Sequence, residues 1–186
     1  MKVLIIDNYD SFTFNLVYLV ESFTSEIEVW RNDEIDFERV SEFDKILLSP
    51  GPGLPTEAGQ MPELIERFAL LKPMLGVCLG CQALALYFGA ELYNLEQVQH
   101  GVQTTIRTVD SNVLYKNIKD PLEVGRYHSW ALKLSEANHL VPTAYDKKNV
   151  LMSFRHSTLS VFGIQYHPES IMTPQGKEII SNWINS

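Results

Sequence analysis

Short continuous apolar runs alternate along this chain with segments whose apolar residues recur every three or four positions. That is the rhythm of strands alternating with helices. Residues 2–6 are a β-branched apolar run of the kind found in buried parallel strands. Phe12, Leu16, Leu19, Val20 and Phe23 then fall at helical spacing, with Asp10 or Ser11 placed to cap that helix. The pattern predicts strands over 27–30 and 46–48, and a helix over 61–71 with Met61, Leu64, Ile65 and Phe68 on one face. Residues 74–77 form another buried strand, and a helix from Leu79 follows at once, with Gly89 able to end it. From about 90 to 165 helical periodicity gives way to β-rich stretches, among them 104–109, 122–127 and 159–165. Ile179, Ile180, Trp183 and Ile184 mark the inner face of a last helix. The whole reads as an α/β domain spanning 1–186, without repeats or linkers.

Composition narrows the function. The 186 residues carry a net charge of −8, which argues against a general nucleic-acid binder with a basic face. No apolar run approaches the roughly 20 residues needed to cross a bilayer. The opening run stops at Asp7, too early for a signal-peptide core, so a cytoplasmic protein is expected. Cys78 and Cys81 are the only cysteines, which suits a reducing compartment rather than a disulfide framework.

Cys78 lies within Gly76-Val77-Cys78-Leu79-Gly80, between a predicted strand and a predicted helix. This is a nucleophile-elbow pattern with cysteine in place of serine. The glycines accommodate the sharp turn, the helix start favours a thiolate, and the Leu79 amide would point where an oxyanion forms. A buried structural thiol is the plainer alternative for Cys78. Cys78-Leu79-Gly80-Cys81 is also formally a CxxC redox motif, although its mid-chain position is unusual for one. Zinc would require a second ligand pair, which the sequence lacks, so no metal is expected.

A cysteine nucleophile needs a base that a third group orients. Gln165-Tyr166-His167-Pro168-Glu169 follows the strand-like run 159–164 and places His167 and Glu169 two apart, as a His–acid pair. His128, within Arg126-Tyr127-His128-Ser129-Trp130, is a second histidine candidate without an acid nearby in sequence. Asp7, Asp10 and Ser11 read as a strand end and helix cap rather than a metal cluster. Ser49-Pro50-Gly51-Pro52-Gly53 follows a predicted strand, where open α/β sheets bind ligands.

With these motifs in order, the chain resembles the class I (triad) glutamine amidotransferases. Residues 76–80 with Gln82, and His167-Pro168-Glu169, match that family's two catalytic motifs. Residues 7–13, and 49–53 followed by Pro55, Glu57, Ala58 and Gly59, resemble its chorismate-pathway branch. That branch holds anthranilate synthase component II and the amidotransferase component of aminodeoxychorismate synthase. The resemblance implies an open, mostly parallel twisted sheet with flanking helices, together with the β-rich second half. It implies Cys78 as nucleophile, His167 as general base and acid, and Glu169 as its orienter. Oxyanion amides from Gly53 and Leu79, and a glutamine pocket lined by Gly51, Gln82, Ser129 and Trp130, are carried over in the same way. L-glutamine is the implied substrate, no cofactor is implied, and the partner is a chorismate-binding synthase component I. Cys81 departs from the branch pattern, which usually has histidine there. A stand-alone γ-glutamyl hydrolase or cysteine hydrolase of the same architecture is the competing expectation.

Overall fold

The structure is a computed structural model that describes residues 1–135 and 139–186. Its elements run β1 (Val3–Asp7), α1 (Thr13–Glu21), β2 (Ile27–Arg31), β3 (Lys45–Leu48), α2 (Met61–Phe68), β4 (Met74–Val77) and α3 (Leu79–Tyr87). They continue with β5 (Glu91–Thr108), β6 (Leu122–Lys133), β7 (Leu140–Asp146), β8 (Leu151–His156), β9 (Val161–Ile164) and α4 (Gly176–Ile184). All nine strands join one sheet in the order β2-β1-β3-β4-β9-β8-β7-β5-β6. The first five strands in that order pair in parallel, and the rest pair antiparallel. The α/β reading therefore holds, and the β-rich second half extends the same sheet.

Alternation along the strands explains why both faces need helices. Leu4, Ile6, Ile46 and Leu48 pack on one face with Leu64, Ile65 and Leu84 of α2 and α3. Val3, Ile5, Leu47 and Val77 pack on the other with Leu16, Val20, Ile180 and Trp183 of α1 and α4. Burial on both faces is what turns these strands into unbroken apolar runs. Lys45 is the polar exception. Its ammonium donates to the carbonyls of Trp183 (2.6 Å) and Ser186 (2.9 Å), so it caps the carboxyl end of α4.

Local chemistry shifts several boundaries. Helix α2 ends at Phe68 rather than 71, and Leu70 and Leu71 are exposed. Pro73 disfavours helical geometry at Lys72, whose ammonium instead donates to the carbonyls of Ser41 and Phe43. Helix α1 begins at Thr13 without a side-chain cap from its preceding residue. Asp10 still serves that end, accepting from the Phe12 amide at 2.8 Å, while Thr13 donates its hydroxyl to Asp7. Gly89 closes the α3 end with φ +85°, a conformation that favours glycine.

The junction of β4 and α3 is the tightest place in the fold. A β-carbon on Gly76 would overlap the backbone of Gly80 and Cys81, and one on Gly80 would overlap the backbone of Leu48. The helix start is thus pressed directly onto the ends of β3 and β4. Gly76→Ala should lower stability in urea unfolding by about 1–3 kcal/mol, because only backbone could yield. An unchanged midpoint would mean that the junction is looser than drawn.

Candidate active site

Cys78 alone bridges β4 and α3, and it does so with φ 51° and ψ −102°. Few residues other than glycine adopt positive φ, and such strain typically costs about 1–3 kcal/mol. Neighbouring hydrogen bonds hold it there. The Cys78 amide donates to the Ile164 carbonyl at 2.9 Å, and its own carbonyl accepts from the Gln82 amide at 3.0 Å. The thiol is therefore fixed at the carboxyl edge of the sheet, where the first amides of α3, that of Leu79 included, have no acceptor within the helix.

His167 approaches from the end of β9. Its amide donates to the Gly125 carbonyl (3.0 Å), joining the segment to β6. Its ring Nδ1 meets Glu169 Oε1 at 2.6 Å, both side chains being almost wholly buried. Two glycines make room for this segment. A β-carbon on Gly125 would crowd Ser170, and one on Gly176 would overlap the Pro168 carbonyl. Burial, the largest influence, disfavours charge on the imidazole, but the Cys78 sulfur and the Glu169 carboxylate outweigh it and raise its pKa to about 10. His167 Nε2 and Glu169 Oε2 are buried with no hydrogen-bond partner among the described residues. Tyr127 and Phe12 cover the ring at centroid distances of 4.8 and 6.4 Å.

The loop after β3 closes the other side. Asn8 pins it: its amide nitrogen donates to the Ser49 carbonyl at 2.9 Å, and its backbone N–H donates to Ser49 Oγ. Asn32 in turn donates to Asn8 Oδ1 at 3.0 Å. Gly51 then packs so close to Asn8 and Leu79 that a β-carbon would collide with both. Gly53, two residues on, takes φ +78° on the exposed rim. In sequence Asn8 stood out only as a member of the 7–13 motif, with no role assigned, yet it is what ties this rim to the elbow.

The remaining predicted pocket residues stand on α3 and β6. Gln82 is buried, and its amide nitrogen donates to the Trp130 carbonyl (3.2 Å) and to Gln165 Oε1 (3.0 Å). Only its carbonyl oxygen is left to receive a ligand. Asn94 pairs with Trp130 and Gln99 with His128, so four residues of β5 stand opposite Ser129 alone. This bulge leaves Ser129 backbone outside the regular ladder. His128 is not part of the His–Glu pair. Burial first, then Arg126, pushes its pKa down to about 4, so the ring is neutral. Cys81 lies in the core against Gly163, and its thiol is pushed up by burial and then by Cys78. Both cysteines are free thiols.

A sequence profile for glutamine amidotransferase class-I matches residues 4–186. The chain belongs to that family. It is a class I glutamine amidotransferase. Component 2 of anthranilate synthase from Pseudomonas aeruginosa is 43% identical to it over 190 residues, 98% of this chain and 94% of that protein. Aminodeoxychorismate/anthranilate synthase component 2 from Bacillus subtilis is 41% identical over 187 residues, 99% of this chain and 96% of its own length. The crystal structure of a glutamine amidotransferase from Methylobacillus flagellatus shares the fold, with TM-score 0.77 at 14% identity. The match covers 99% of this chain and 94% of that one. No helix among the described residues of this glutamine amidotransferase is long and apolar enough to cross a membrane.

The glutamine amidotransferase site also has members that sequence reasoning missed. Gln165 was read only as part of a strand-like run and the motif that follows it. Gly125 carries no local signal, because its role is to admit a segment distant in sequence, and Gly176 makes room for the nearby Pro168 backbone. Replacing Glu169 with Gln removes one of the two groups that hold the proton on His167. The NMR titration midpoint of the His167 ring in Glu169→Gln should therefore move to lower pH, and a midpoint that stays put would rule the carboxylate out as a cause.

Proposed function

We propose that this amidotransferase hydrolyses L-glutamine to glutamate and ammonia through Cys78, His167 and Glu169, for use by a chorismate-binding synthase component I. The observation that carries the reading is the strained Cys78 elbow facing a buried His–Glu pair. A raised imidazole pKa favours a resting pair of imidazolium and thiolate, so His167 acts first as an acid. The sulfur attacks the side-chain amide carbon, a C–S bond forms, and the carbonyl electrons move onto oxygen. Amides of Leu79 and Gly53 are assigned to receive that oxyanion, each such donor being worth about 2.7–4 kcal/mol of barrier. His167 then protonates the departing nitrogen, the C–N bond breaks, and ammonia leaves a glutamyl thioester. The neutral ring next takes a proton from water as the oxygen adds to the thioester. Collapse expels the thiolate and releases glutamate. Cys78→Ala should abolish glutamate release, and release at the normal rate would refute the assignment.

Names of the relatives support the acceptor. The Pseudomonas and Bacillus proteins are components 2 of anthranilate or aminodeoxychorismate synthases. Ammonia freed into neutral water becomes ammonium, a poor nucleophile, so a docked acceptor gives the reaction its use. Part of the rim beside His167 is apolar. Phe12 touches Tyr127 and His167, and Ile171, two residues past Glu169, is 96% exposed. A synthase component seated there would cover the rim and shield ammonia from water. Ile171→Asp should leave the glutaminase rate of the free chain intact and reduce its stimulation by the reconstituted synthase. Equal stimulation of both proteins would place the docking face elsewhere.

A further inference from the structure

Gln165 lies two residues before His167, in the bend that follows β9, and Tyr166 between them is buried in the core. Its amide nitrogen is 3.5 Å from Cys78 Sγ, within range for an N–H···S hydrogen bond. Which end of an amide faces a neighbour is often ambiguous, but here the surroundings decide it. Arg126 has donors and no acceptor. Its Nη1 donates to Asp146 at 2.6 Å, and its Nε donates to His128 Nε2 at 3.0 Å. That leaves the proton of neutral His128 on Nδ1, which donates to the Trp130 carbonyl at 2.7 Å. The same carbonyl can only accept, so the side chain of Gln82 must present its nitrogen there and to Gln165. Gln165 therefore offers its oxygen to Gln82 and its N–H to the sulfur.

We infer that Gln165 is a positioning residue that donates to the Cys78 sulfur and favours its anionic form. Its orientation is set through Gln82, Trp130 and His128 by the buried Arg126–Asp146 ion pair. A thiolate accepts a hydrogen bond more strongly than a thiol does, so this donor acts on the charge state and aim of the nucleophile. The inference rests on the reading of Cys78 as the nucleophile.

The test is the pH dependence of Cys78 alkylation by iodoacetamide, with the label located by fragment mass. Gln165→Met keeps the side-chain length and removes the donor. Its alkylation midpoint should rise by about one pH unit, with alkylation about tenfold slower below the midpoint. Gln165→Glu keeps an acceptor for Gln82 but sets a carboxylate beside the sulfur, and should raise the midpoint further. Gln82→Met untethers Gln165 and should give a smaller rise. Coincident profiles for Gln165→Met and the parent chain would overturn the inference. If Gln165→Met does not fold, a Gln165→Glu profile that matches the parent overturns it equally. Alkylation needs no glutamine turnover, so this failure is separable from failure of the amidase reading, which glutamate release by Cys78→Ala decides.

Discussion

The direct passage from β4 into α3 through one residue is the constraint on which the rest of the site depends. Cys78 can hold φ 51° only because the structure around it over-determines its backbone. Gly76 and Gly80 let the helix start lie on the strand ends, and the Ile164 carbonyl fixes the Cys78 amide from the next strand. Each neighbour of the sulfur is located relative to that junction. Gly51 packs on Leu79, while Ile164 leads straight into Gln165 and His167.

The buried His–Glu pair obeys a different constraint. Two ionisable side chains this deep are costly unless each has a partner for its charge. Glu169 supplies one partner for the imidazolium and the Cys78 sulfur supplies the other, which is why burial alone does not win. The arrangement still leaves His167 Nε2 and Glu169 Oε2 unpartnered among the described residues. Buried polar atoms are seldom left so, and at a reactive site they mark where reacting groups belong. Stability is given up at these atoms, and the close packing of Gly125 and Gly176 around the segment keeps it from relaxing away.

What the sequence could reveal followed from how local the physics is. Strands buried on both faces write themselves as apolar runs, so β1, β3 and β4 and the elbow after β4 were legible. The long β5 was read only at its far end, because nearly all its residues are exposed or half buried and no apolar alternation marks them. β7 and β8 were likewise absent from the reading, since β7 pairs with a distant stretch of β5 and no regular apolar alternation marks the hairpins that join β8 to β7 and β9. The catalytic candidates stood out because each carries its motif beside it. The structural roles of Asn8 and Gln165 did not, because each rests on a contact with residues far along the chain.

The two halves of the sheet divide the work at the sulfur. Parallel strands β3 and β4 fix Cys78 and the Gly51–Gly53 rim, whereas β6 of the antiparallel half carries Gly125, His128 and Trp130. Strand β9 pairs with β4 in parallel and with β8 antiparallel, so it is where the two halves meet. The segment that follows it carries Gln165 and His167, whose side chains meet Cys78 from outside the elbow. The Trp130 carbonyl receives both His128 and Gln82, so a shift of β6 at that residue displaces both donors together. Geometry at Cys78 is thereby referred to the hairpin of β5 and β6 as well as to the elbow.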